Sequence, residues 1–210
     1  MNKFLPIFII IIITACVIGV IVFLSNNKDN ETSDNTVFNQ DYSQDWKKGA
    51  KDPKVVLVEY ADFECPACAS VKGVPDALLR KYPDELQFVY RHYPLQNSHL
   101  HAFKAAEAAE AAGAQGKFWE MHDILFDNQT DLTEDSLRVY ASRIDLDMSI
   151  FIRDLNNETY APNVQSDYDS GRAVEVRRTP TFFVNGEEYT GNITLQGLSS
   201  AIEDVISTAN

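Results

Sequence analysis

Val55-Val56-Leu57-Val58-Glu59-Tyr60-Ala61-Asp62-Phe63-Glu64-Cys65-Pro66-Ala67-Cys68 is the stretch that decides the fold. Its first seven residues form a β-branched run with almost no polar alternation. That pattern predicts a central strand covered on both faces. From Cys65 the pattern turns helical, and Pro66 suits a first helical turn, where its missing N–H costs nothing. Gly73 and Pro75 predict a kink or break near Val74. Downstream, residues 86–93 alternate and predict a second strand, closed by Pro94. A helical block follows: Ser98 to Ala112 is rich in Ala and Glu, Phe118 to Phe126 is amphipathic, and a further helix opens at Thr133-Glu134-Asp135 with Thr133 or Asp131 as cap. Met148 to Asn156, and onward toward Tyr168, predicts a fourth and a fifth helix of the block. Thr181 to Val184 and Glu188 to Thr190 then flank Asn185-Gly186, a strong hairpin signal. Leu195 to Ile206 predicts a final amphipathic helix. The order strand, helix, strand, helical block, hairpin, helix fits an α/β fold: a sheet covered on both faces, with a helical insertion at about residues 95–172.

Toward the N-terminus, Phe4 to Leu24 is an uncharged apolar run, long enough to cross a hydrocarbon core. Lys3 precedes it, whereas Lys28 is offset at once by Asp29 and Glu31, so the rest of the chain is expected outside the cytoplasm. Residues 1–24 therefore read as a signal anchor and single-pass transmembrane helix. A cleaved secretory signal is an alternative. So is a lipoprotein signal ending at Cys16, although the apolar stretch after Cys16 departs from that pattern. Residues 25–45, rich in Asn, Asp and Ser, read as a flexible linker. Residues 46–210 then form the folded domain, large enough for a sizeable core. With 18 Lys and Arg against 31 Asp and Glu, the net charge of -13 argues against nucleic-acid binding, which needs a basic face.

The chemistry centres on Cys65 and Cys68. Half a zinc site is one reading, but there is no second Cys pair, His99 and His101 would point to different faces of a helix, and His122 is expected on a helix surface. No metal and no cofactor are expected. The redox reading has more support. Two Cys at i and i+3 in a first helical turn lie close enough for a disulfide. The free N–H groups and dipole of that turn favour a Cys65 thiolate, and a low thiolate pKa makes a disulfide easier to pass on. Cys68 would sit deeper and resolve a mixed disulfide at Cys65. An inert buried disulfide is the bland alternative. Glu59, a carboxyl group within an apolar strand, could carry protons to and from Cys68, unless it is simply solvated at an edge. Pro180 stands just before a β-run. A cis Thr179-Pro180 bond, or an ordinary trans bend, would leave backbone groups of Thr179 free to pair with an extended substrate segment.

Phe63 to Cys68 after a β-run, Arg91-His92-Tyr93-Pro94-Leu95, Gly116-Lys117-Phe118-Trp119 and Thr179 to Gly186 together resemble the DsbA-like branch of the thioredoxin superfamily, across about Val55 to Ile206. The resemblance implies a thioredoxin-like fold interrupted by a helical domain between its βαβ and ββα halves. It implies thiol–disulfide exchange with unfolded or reduced exported proteins. Cys65 matches the exposed nucleophile, Cys68 the resolving thiol, Glu59 the buried acid and Thr179-Pro180 the cis-proline loop. The tethered architecture is similar to that of Gram-positive members that work with a quinone-linked membrane reoxidase. One position departs: Ala67 stands where well-studied members carry a thiolate-stabilising His, so a less oxidising couple is expected. The chain is therefore expected to be a protein thiol–disulfide oxidoreductase of the cell membrane, introducing disulfides on the extracytoplasmic side. Alternatives are a reductase or isomerase, a dedicated redox partner of one protein, and a non-enzymatic holdase module.

Overall fold

The computed structural model describes residues 42–208. The expected membrane-crossing segment 1–24 and nearly all of the linker lie outside these residues. Among the described residues no helix is long and apolar enough to cross a membrane.

The chain runs β1 (Trp46–Gly49), β2 (Val55–Ala61), α1 (Pro66–Val71), α2 (Val74–Lys81), β3 (Leu86–His92), α3 (Ala102–Gly113), α4 (Phe118–Asp127), α5 (Glu134–Arg143), α6 (Met148–Asn156), α7 (Ala161–Ala173), β4 (Thr181–Val184), β5 (Glu187–Glu188) and α8 (Leu195–Thr208). The strands form one sheet in the order β1-β3-β2-β4-β5. β2 is parallel to β3 and antiparallel to β4, so it lies in the middle with every residue buried. Its unbroken apolar run has the cause expected of it. Val55, Leu57 and Ala61 join a large core with Phe88, Phe182, Leu198 and Ile202. Val56, Val58 and Tyr60 join a second core with Val89, Tyr93 and Phe183 on the opposite face. The expected α/β architecture is present, with α3–α7 inserted between β3 and β4.

Local chemistry sets most boundaries. The helix after Cys65 breaks at Lys72-Gly73, and Pro75 sits in the first turn of α2. Thr133 caps α5 by accepting from the Ser136 N–H, and Asp147 caps α6 through the N–H groups of Ser149 and Ile150. Asn185 and Gly186 both take positive φ in the hairpin. The Asn185 side chain also accepts from the Val56 N–H at 2.7 Å, locking the turn to β2.

Three details differ from the sequence reading. β1 was not anticipated: Trp46-Lys47-Lys48-Gly49 is short and polar, and only its pairing with β3 makes it a strand. α3 starts at Ala102 rather than Ser98, because residues 95–101 are drawn off to bond the loop before Cys65. β5 is only Glu187–Glu188.

α3 is buried on nearly every side, which its alanines permit. Its Glu110 ties the layers together: it bonds Trp46 Nε1, lies 3.0 Å from His92 Nε2 and accepts from Asn163 Nδ2 at 3.0 Å. Trp46 also stacks on Phe118 at 4.4 Å between ring centroids. A Cβ at Gly113 would lie 2.2 Å from the Trp46 ring, whereas one at Gly73 meets nothing within 4 Å. Urea denaturation should therefore show Gly113→Ala destabilised by roughly 1–3 kcal/mol, the usual cost of overpacking, while Gly73→Ala stays close to the parent protein.

Candidate redox site

β2 delivers the chain to the site, and the loop after it sets the turn. Asp62 accepts from the Glu64 N–H through Oδ1 at 2.7 Å, and its carbonyl accepts from the Cys65 N–H at 3.1 Å. Cys65 then takes the N-cap position of α1, with Pro66 as the first helical residue. Pro66 and Ala67 are exposed, while Cys68 is fully buried one turn in. Cys65 is less open than an exposed nucleophile would be: 7% of its surface is accessible, because the loop from β4 closes over it. The two cysteines are free thiols.

The closing loop is Thr179-Pro180, joined by a cis peptide bond. The Cys65 thiol donates to the Thr179 carbonyl at 3.4 Å. The Thr179 hydroxyl is buried and, among the described residues, has no partner beside the neutral thiol. A Cys65 thiolate can no longer donate, and it gains that hydroxyl as a donor. The surroundings hold the Cys65 pKa down to about 5. The Cys68 thiol, donating to the Cys65 sulfur, is the largest cause; burial opposes it, and Thr179 and the backbone N–H groups of Cys68 and Ala67 add to it. Cys68 moves the opposite way. Burial pushes its thiol far up, and the nearby Cys65 and Glu59 raise it further. The site thus separates one sulfur that loses its proton easily from another that keeps it.

Glu59 lies in the middle strand and is 3% exposed, so it is no solvated edge residue. Burial pushes its carboxyl group up to about 8, against the opposing pull of Lys48 on β1. It keeps a proton at neutral pH, and only once ionised does its charge push the Cys68 thiol further up. Its register partner on β3 is Tyr90, whose buried hydroxyl has no partner among the described residues.

Several residues at the site were not singled out from the sequence. Lys48 and Tyr90 gain meaning only through strand pairing. Asp62 is a buried carboxylate that holds the turn, and an acidic residue between the apolar β2 run and Phe63 was the available signal. His99 and His101 both lie ahead of the helix rather than on two faces of it. His99 sits in the loop before α3, with Nδ1 2.8 Å from Asp62 Oδ2, and His101 is the N-cap of α3. His122, expected on a helix surface, is 5% exposed among Phe63, Tyr90 and Phe126. Its face of α4 packs inward against the sheet.

Comparison with known proteins places this architecture. The oxidised BdbD of Bacillus subtilis superposes with a TM-score of 0.72 at 22% identity, covering 80% of this chain and 95% of that one. The thiol–disulfide exchange protein α-DsbA2 of Wolbachia pipientis gives 0.70 at 17% identity, covering 87% and 96%. These likenesses establish the thioredoxin-like fold with its helical insertion. In sequence, the chain is 41% identical over 169 residues to the Na(+)/H(+) antiporter NhaA 3 of Salinispora tropica, covering 80% of this chain and 26% of that protein. The chain thus spans about a quarter of the length of the curated relatives it matches. A thioredoxin family profile matches residues 41–204, which takes in β1 through most of α8 and every residue of the site; the chain belongs to the thioredoxin family.

Proposed function

We propose that this protein is an extracytoplasmic thiol–disulfide oxidoreductase that introduces disulfides into exported proteins through Cys65 and Cys68. The observation that carries this reading is the division of labour between the two sulfurs. One, with a small accessible area, loses its proton easily, and the other is buried beside a protonated carboxyl group. The exchange runs from the Cys65–Cys68 disulfide. A substrate thiolate attacks the Cys65 sulfur, the bond between the cysteines breaks, and Cys68 leaves as a thiolate. Glu59 gives it a proton. A second substrate thiolate then attacks the substrate sulfur of the mixed disulfide and releases Cys65. A thiol with a pKa of about 5 is a good leaving group, so this step is fast. The substrate gives up two electrons, and the protein takes them as the Cys65 thiolate and the Cys68 thiol. In this reading the backbone of Thr179 pairs with an extended substrate segment, which reads little side-chain identity and suits diverse clients.

The apolar segment 1–24 supplies the membrane anchor in this reading, with Cys16 as a lipidation site in its variant form. A quinone-linked membrane protein returns the pair to the disulfide. The antiporter relatives support a second reading, in which such a domain serves a single membrane protein.

A Cys68→Ala variant expressed in cells should accumulate mixed disulfides at Cys65, visible as adducts that a reductant removes. Many partners support the general oxidase, one partner supports the dedicated role, and none contradicts exchange through Cys65.

Glu59 gives a prediction with a defined sign. Its folded pKa of about 8 lies above the ordinary 4.5, so the folded protein holds a proton that the unfolded chain loses between those values. Stability falls as pH rises through that window. In Glu59→Gln the penalty is absent. The stability advantage of Glu59→Gln over the parent should therefore grow between pH 5 and pH 8 by at least about 1 kcal/mol, one pKa unit being about 1.4 kcal/mol. Disulfide exchange by the same variant should be at least about tenfold slower at neutral pH, as expected on losing a proton donor.

A further inference from the structure

The position before Cys68 is Ala67, which brings neither charge nor hydrogen-bond donor to the Cys65 sulfur through its side chain. The helical insertion brings both to the neighbourhood. The loop leading into α3 folds back onto the turn before Cys65 through three hydrogen bonds. The Leu95 N–H donates to Asp62 Oδ2 at 2.7 Å, His99 Nδ1 meets the same oxygen at 2.8 Å, and the His101 N–H donates to Glu64 Oε2 at 2.8 Å. The Asp62 side chain is fully buried, while that of His99 is 20% exposed. A single residue therefore fixes both the imidazole and the turn that carries Cys65, since Asp62 also bonds the N–H groups of Glu64 and Cys65. A carboxylate on Nδ1 orients the ring and favours its protonated form. Nε2 has no hydrogen-bond partner among the described residues.

We propose that His99 is a positioning residue of the redox pair: held by Asp62, its imidazolium stabilises the Cys65 thiolate and supplies from the insertion the positive charge that Ala67 lacks. This deepens the oxidoreductase reading and rests on it. The charged and titratable groups that act on His99 are Asp62 and Glu64 from the loop after β2 and Cys65 at the head of α1. Burial works against the His99 charge. Asp62, Cys65 and Glu64 together outweigh it, and the net shift is upward. Charge coupling is mutual: the thiolate that favours an imidazolium is favoured by it to the same degree. Cys65 ionises at about 5, and His99 holds its proton above the ordinary histidine value, so both are charged together between those points. When the Cys65–Cys68 bond forms, the negative charge on Cys65 disappears, while Asp62 and Glu64 remain. His99 then keeps part of its support and loses the rest.

The test is an NMR titration of the His99 ring in the full-length protein, in the dithiol and disulfide forms. The assignment predicts a higher His99 midpoint in the dithiol form. Equal midpoints overturn it, because a residue that only pins the loop to Asp62 has no reason to sense the sulfur. His99→Gln supplies a second measurement: ultraviolet thiolate absorbance should show the Cys65 midpoint moved upward, and an unmoved midpoint in the folded variant overturns the assignment. Exchange with a disulfide peptide is followed on the same unmodified sample. A dithiol form that fails to exchange at all contradicts the oxidoreductase reading, whereas exchange with a redox-independent His99 midpoint removes only the role of His99.

Discussion

A thiolate held among hydrogen-bond donors at the head of α1 is the constraint on which the rest of the site depends. The Cys65 sulfur sits where the first N–H groups of a helix have no intrahelical acceptor, and the Cys68 thiol adds a donor from one turn below. Those donors outweigh a burial that on its own would favour the neutral thiol. They act only if the chain enters the helix at the right angle. That explains why so much of the surrounding structure fixes the short segment from Asp62 to Pro66 rather than the cysteines themselves. Asp62 closes the turn, and Thr179 covers the sulfur from the β4 side.

The same arrangement makes the two faces of the site unequal. Outside, Pro66 and Ala67 are exposed and Cys65 keeps a small accessible area. Inside, Cys68 and Glu59 share the closed core beneath the sheet. A buried carboxyl group beside a buried thiol is costly if both are charged. With one proton on each they are tolerable, and in the proposed exchange Glu59 is the proton source for the sulfur that leaves. The helical insertion contributes through its first loop, which reaches the turn before Cys65, and through Glu110, which binds the insertion to β1 and β3.

Much of this was legible in the sequence, for identifiable reasons. β2 announced itself because a strand covered on both faces has no polar alternation. The break between α1 and α2 was written in Gly73 and Pro75, and the hairpin in Asn185-Gly186. Cys65, Cys68, Glu59 and Thr179-Pro180 stood out as residue types that are expensive or unusual where they occur. What was hidden depended on pairing between distant segments. Trp46 to Gly49 has weak strand character of its own and becomes β1 by hydrogen bonding to β3. Tyr90 reads as an ordinary strand aromatic until the register sets it beside Glu59. His99 looked like part of an Ala-rich helix, because helical propensity is local and carries no sign of the carboxylate that draws the loop away. His122 was placed on the wrong side of its helix for a similar reason: its neighbours Trp119 and Phe126 show that a face is apolar, but a histidine on that face can be read either way.

The most direct measurement is the pH dependence of Cys65 alkylation in the reduced, full-length protein, followed by mass spectrometry of the peptide that carries it. The account predicts a rate that climbs through a midpoint near 5 and is flat by neutral pH. A rate still rising through about pH 8.5, as for an ordinary free thiol, would contradict it.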